Sequence, residues 1–282
     1  SYTPGTPLLA GSPNEPIFSN LSPAQPLASF QRFTSNDWLL GICQIPTTLD
    51  LAPLTESLYQ QLILAAAGYS LCRIWNYVPN INAPGKDGVE NYRLFCLGRA
   101  NAWANALGSN FEQQLSAASA TGTESNLLTI VFAAHKSPAL HFENPEQTPA
   151  YQYPSQYGPL PPSFARASIL ETSNCHYAFI SGTAAVKGHT SCFPNDPIAQ
   201  TLCTINNLHL ITQACGLGSS LQTIQAQRFF KVYLRNPADL PTLQPILQTQ
   251  LFQPNDTVSW LHSDICRQDL DIEIEATLQL LP

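Results

Sequence analysis

The sequence is that of an α+β protein made of two related units, each a mixed sheet with helices on one face, and three observations lead to that expectation. Apolar residues switch along the chain between the alternation of strands and the 3.6-residue spacing of helices. Residues 167–280 run strand, strand, helix, strand, helix, strand, and residues 29–134 give nearly the same order. Between them, residues 143–166 carry six prolines and three tyrosines, a composition that neither a helix nor a central strand tolerates. The expected organisation is an extended arm over 1–27, an N-terminal unit over 28–155 and a C-terminal unit over 156–282.

Residues 1–27 hold many prolines and small polar residues without periodicity, which reads as an arm on the surface. Residues 29–45 alternate as two strands around a turn at 34–37. Residues 54–68 have helical spacing and end on Gly68, a common C-terminal signal, and residues 70–77 (SLCRIWNY) return as a strand. A loop over 79–91 leads into a helix at 92–107, where Tyr92 and Arg99, seven residues apart, share one face. The β-branched run at 127–134 is a central strand. In the second half, SILE and YAFISGTAAV are strands joined through 172–175. Asp196 and Pro197 open a helix reaching about Cys215, as an acidic N-cap followed by proline does. A strand at 229–235, a helix at 239–252 and a closing strand complete the unit.

Bulk properties narrow the chemistry. Of 282 residues, 44% are hydrophobic, enough for a substantial core, while only 11% are charged, well under the usual quarter. Each charge therefore stands out. A net charge of −7 with four lysines disfavours nucleic acid and acidic membranes as partners, and leaves room for a small anion held by arginine. The eight cysteines show no C-x-x-C pair and mostly sit in apolar runs, which points to buried free thiols in a reducing, cytoplasmic setting. No signal peptide or membrane-length apolar run is visible, and the absence of Met fits loss of an initiator before the small Ser1. The six histidines have no ligand spacing, and no nucleotide loop, hydride-cofactor fingerprint or metal motif occurs. The expectation is a protein without cofactor or metal.

The last strand holds the chemistry. From Leu270 on, Leu270, Ile272, Ile274, Ala276 and Leu278 alternate with Asp271, Glu273, Glu275 and Thr277. The acidic side is either a solvated strand face or a cleft in which Glu273 or Glu275 serves as a general acid. Alternation puts both glutamates on one side and does not separate them. Tyr151, Tyr153 and Tyr157 in the proline-rich loop either cover a core or offer phenol donors to a ligand.

Several stretches together resemble a known family. Residues 179–189 (FISGTAAVKGH), the helix from Pro197 and the ending at 264–267 (DICR) with 272–276 (IEIEA) look like the RidA/YjgF superfamily, whose domains have a chorismate-mutase-like fold. Residues 72–82 (CRIWNYVPNIN), 92–99 (YRLFCLGR) and 153–166 make the whole similar to the chorismatases, over roughly residues 29–282. The resemblance implies two chorismate-mutase-like units and an enzyme that cleaves chorismate, releasing pyruvate. It implies Glu273 as the acid protonating the enolpyruvyl methylene carbon, and Tyr92 with Arg99 as the clamp on one carboxylate. Tyr151, Arg166, Gly182 and Thr183 are the further substrate-binding positions it implies. Cys266 is the second catalytic residue it implies, a polar neighbour or proton relay, and the combination of Cys266 and Gly182 implies 3-hydroxybenzoate as product, with 4-hydroxybenzoate or a dihydroxycyclohexadiene carboxylate as alternatives. An imine hydrolase using Arg267 and Glu273, and a non-catalytic aromatic-acid-binding protein, are the rival functions. Monomer and homotrimer are both expected states, since RidA-like domains commonly trimerise while fused units can satisfy such interfaces internally.

Overall fold

Strand alternation and helix caps place most elements where the sequence predicts them. The computed structural model describes residues 5–13, 18, 20–47, 50–173 and 175–280. In chain order the first elements are β1 (Leu8–Gly11), β2 (Ser22–Leu27), β3 (Phe30–Ser35), β4 (Trp38–Pro46), α1 (Leu51–Ala65), β5 (Ser70–Pro79), α2 (Asn91–Leu107), β6 (Ala117–Thr123) and β7 (Leu127–His135). There follow β8 (Ala139–Phe142), β9 (Ala167–Glu171), β10 (His176–Thr183), β11 (Val186–Lys187), β12 (Thr190–Ser191) and α3 (Pro197–Ala214). The chain closes with β13 (Gln227–Leu234), α4 (Leu240–Gln250), β14 (Thr257–His262) and β15 (Ile272–Leu280). The Asp196 carboxylate accepts from the Ala199 amide at 2.9 Å, the N-cap expected for α3.

Two mixed sheets result, and their topologies repeat. The first runs β2-β3-β4-β7-β5-β6 and the second β1-β14-β13-β15-β10-β9-β8. Omitting β1, the second read backwards is β8-β9-β10-β15-β13-β14, the same wiring element for element. In each, one parallel pair, β5 with β6 and β13 with β14, is joined through a helix, and the remaining neighbours are antiparallel. The unit is thus an α+β fold used twice.

Helices α1 and α2 cover the outer face of the first sheet, where Tyr59, Phe95, Trp103, Ile130 and Phe132 form the core. Helices α3 and α4 cover the second, over Leu208, Leu243, Leu247, Ile272 and Ile274. The inner faces meet each other through Trp75, Tyr77, Ala133, Tyr233 and Leu261, and through Cys72, Ala117, Tyr177, Phe179 and Phe229. A strand such as β5 is therefore buried on both faces, which is why its sequence reads as a nearly continuous apolar run. The two helices of the first unit approach closely at Gly98, where a Cβ would lie 2.1 Å from the Ala52 carbonyl oxygen.

Three expectations change. Among the described residues, the arm contributes β1 to the edge of the second sheet and β2 to the edge of the first. Its prolines Pro23 and Pro26 are tolerated because β2 is an edge strand. The strand β8, assigned by sequence to the first unit, pairs with β9 in the second sheet, so sheet membership changes before the proline-rich loop rather than within it. Strands β6 and β14 were not anticipated. The β6 sequence, AASATGT, lacks the bulky residues that mark strands, and tertiary contacts stabilise it instead. Ser168 and Ser181 hydroxyls from the second unit accept from the Ala117 and Ala118 amides at 2.7 and 2.9 Å, satisfying the edge strand across the boundary.

Candidate active site

Strand β15 is central in its sheet, between β10 and β13. Its pleat sends Ile272, Ile274, Ala276 and Leu278 toward α3 and α4, and Glu273, Glu275 and Thr277 toward the other sheet. All three are only 3% exposed, so the acidic side is not a solvated face. The two glutamates meet different surroundings. Glu275 accepts from Arg73 Nη2 at 2.7 Å, Trp75 Nε1 at 2.7 Å and Lys231 Nζ at 2.9 Å. Burial alone would raise its pKa, but Lys231 and Arg73 overcome that and hold it down to about 2. It is an ionised structural acid. Glu273 Oε1 has no hydrogen-bond partner among the described residues. Burial and then the Glu275 charge push its pKa up to about 8, against smaller opposing effects of Arg73 and Arg166.

Glu273 faces a cavity of about 760 Å³, where residues of the first unit and the proline-rich loop meet β10 and the 265–270 turn. Tyr92, Tyr153, Tyr157, Phe164, Arg166, Gly182, Cys266 and Arg267 line it with Glu273. Behind it lies a chamber of about 30 Å³ bounded by Tyr92, Arg99, Ser119, Phe164, Cys266 and Glu273. Tyr92 and Arg99 thus do project together from α2, as their two-turn spacing required.

Cations gather around the cavity and the chamber behind it. Arg99 is 1% exposed, its Nε has no partner, and no carboxylate among the described residues lies within ion-pair distance of it. It rests over Phe95, 5.0 Å from the ring centre, with its Nη2 3.8 Å from Cys96 Sγ. Arg166 donates to the Tyr153 hydroxyl at 2.6 Å, while its Nε lies 4.0 Å from Glu143, whose own pKa burial pushes up to about 7 despite that arginine. Arg267 stacks on Tyr157 at 4.1 Å and on Tyr153 at 5.1 Å, and donates to the His189 carbonyl and the Ser191 hydroxyl. Arg99 and Arg166 are consequently a buried pair of cations with little anionic compensation.

Gly182 and Cys266 flank the free acid. A Cβ on Gly182 would sit 2.0 Å from Glu273 Oε1, so only glycine leaves room for this carboxyl. A register irregularity in the β10 and β15 pairing falls at this point. Burial, then the neighbouring Glu273, push the Cys266 thiol up to about 12, so it is a neutral donor rather than a thiolate.

The other expected positions lie elsewhere. Thr183 is opposite Ile274 on β10 and donates to the Ser181 carbonyl at 2.8 Å; it lines neither space. The pleat that brings Gly182 to Glu273 turns its neighbour away. Tyr151 packs against the first core, and the tyrosines that reach the cavity are Tyr153 and Tyr157. Lys187 pairs with Glu146 on the surface. Arg73, Trp75, Ser119, Lys231 and Phe164 were not singled out from sequence. The available signal was Arg73 itself, a charge inside the otherwise apolar run SLCRIWNY.

Fold and site define a duplicated α+β protein in which a buried carboxyl of raised pKa and buried arginines gather around a cavity. Residues 27–134 match the family described as "Chorismatase FkbO/Hyg5-like, N-terminal". A "3-hydroxybenzoate synthase" of Streptomyces hygroscopicus is 32% identical over 246 residues, 83% of this chain and 72% of that protein. A "Chorismatase" of Streptomyces rapamycinicus is 34% identical over 255 residues, 86% of this chain and 75% of that protein. A crystal structure of a chorismatase overlays with a TM-score of 0.82 at 31% identity, covering 90% of this chain and 78% of the other. The chain belongs to the chorismatase family.

Proposed function

We propose that this protein cleaves chorismate to pyruvate and 3-hydroxybenzoate, with Glu273 as the acid. The observation that carries the reading is the buried Glu273 carboxyl at the cavity wall, whose Oε1 has no hydrogen-bond partner among the described residues. Burial and the Glu275 charge raise its pKa to about 8, which favours the protonated form at neutral pH that a proton donor needs. The proton goes to the methylene carbon of the enolpyruvyl group. The C=C electron pair forms the new C–H bond, and the positive charge passes to the ether-bearing carbon as an oxocarbenium ion. The ionised Glu273 carboxylate then faces a cation, which it stabilises more than a neutral enol ether.

Chorismate is a dianion, and Arg99 and Arg166 supply two buried guanidiniums for its carboxylates. Tyr92, whose phenol is kept protonated by burial, adds a donor beside Arg99. Pyruvate and 3-hydroxybenzoate together contain the atoms of chorismate, whereas a diene diol requires an added water. Cys266 and Gly182 line the same cavity as Glu273, and the relative named 3-hydroxybenzoate synthase supports the aromatic product. The test is incubation of purified protein with chorismate, chromatography of the products, and the same with Glu273→Gln. Pyruvate with 3-hydroxybenzoate, both lost in the variant, is the expected result. Pyruvate with 4-hydroxybenzoate or the diol overturns the product assignment, and no turnover overturns the reaction.

A further inference from the structure

Glu275 follows Glu273 by one full step of the pleat, so the two side chains emerge on one face, from backbone positions about 6.6 Å apart along the strand. Register explains their different fates. On the neighbouring β13, Lys231 stands directly opposite Glu275 and Tyr233 directly opposite Glu273. The cation therefore stands opposite one acid, and an uncharged residue stands opposite the other. Arg73 reaches Glu275 from β5 across the gap between sheets, steadied by Ser119 Oγ at 3.0 Å, and Trp75 closes the other carboxylate oxygen.

We propose that Glu275, clamped as a carboxylate by Lys231 and Arg73, is a positioning residue that keeps the proton on Glu273 between turnovers. The proposal rests on Glu273 being the acid. Around Glu273 the other charged or titratable groups are Arg73 from β5, Tyr233 from β13, Arg99 and Tyr92 from α2, and Arg166 with Cys266 from the flanking loops. The cations among them favour ionised Glu273, and Glu275 is the one anion set against them. Its charge also acts after the proton has left: the new Glu273 carboxylate sits beside another carboxylate, which favours its taking a proton back.

Two substitutions separate this role from packing because they act in opposite directions. Glu275→Gln removes the anion and leaves Lys231 and Arg73 uncompensated. At an effective dielectric of about 20, a charge about 6.6 Å away shifts proton affinity on the order of 50-fold, so the midpoint falls by about 1.5 to 2 pH units. Lys231→Met leaves Glu275 ionised by Arg73 and Trp75 but less neutralised, and the Glu273 midpoint rises. The readout is the ¹³C carboxyl resonance of Glu273 in protein labelled at glutamate, assigned by its loss in Glu273→Gln and titrated without substrate. The alkaline limb of kcat/KM should move with it. A lower midpoint in Glu275→Gln and a higher one in Lys231→Met supports the proposal. Unmoved midpoints, or shifts of the same sign, overturn it, and Lys231→Met alone decides should Glu275→Gln fail to fold. Because the titration needs no substrate, its outcome is independent of whether chorismate is cleaved.

Discussion

Replacing Glu273 by glutamine should make the protein more stable, and increasingly so as pH rises. In the folded state the carboxyl is raised from 4.5 to about 8 by burial and by Glu275, whereas in the unfolded chain it returns to its ordinary value. Between those values the folded state binds more protons than the unfolded one, so wild-type stability falls as pH rises through this window. Its full contribution is present below the unfolded pKa and is lost by about pH 8. At about 1.4 kcal/mol per pH unit the loss is on the order of 4 kcal/mol, a large share of the stability of a folded protein. Glutamine is neutral throughout, nearly the same size, and incurs no such loss. Urea unfolding of wild type and Glu273→Gln at about pH 5 and about pH 8 measures the difference. A gap that widens by several kcal/mol toward high pH is expected. One that is flat, or that narrows, would show that Glu273 is ionised at neutral pH and would refute the reasoning behind its role.

Three further outcomes follow from the cavity. Arg99→Met removes a buried guanidinium with no carboxylate partner among the described residues, and kcat/KM for chorismate should fall about a hundredfold, most of it through KM. Steady-state kinetics with a circular dichroism control checks this, and a change under about threefold would contradict the clamp. Gly182→Ala forces a methyl to within 2.0 Å of Glu273 Oε1 and 3.1 Å of Ser119 Cβ, so the acid must move. Turnover should drop on the order of a hundredfold while melting changes by only a few degrees, since the clash is with the end of one side chain. Cys266→Ala removes a neutral thiol donor next to the acid and leaves Glu273 in place. Pyruvate release should persist with a changed ratio of aromatic to diol product, read by chromatography; an unchanged ratio would detach Cys266 from product choice.

Much of the fold was legible because local chemistry and tertiary structure agree. The alternation of β15, the Asp196 and Pro197 start of α3, and the two-turn spacing of Tyr92 and Arg99 all specify geometry within a few residues of chain. Those signals require no partner to be read. They determined that two similar α+β units exist, that one strand side is acidic, and, through the motifs that resemble chorismatases, which residues to examine. Strand β6 escaped because its small residues gain their stability from Ser168 and Ser181 in the other unit. Only the tertiary structure decided what each glutamate is. In sequence Glu273 and Glu275 are equivalent, two acids on one side of a strand. They become different when β13 sets Lys231 opposite one and β5 brings Arg73 and Trp75 to the same carboxylate, leaving the other buried against a cavity. The sign of a pKa shift depends on which charges share a low-dielectric space, and those charges come from residues as far apart as positions 73, 231 and 275.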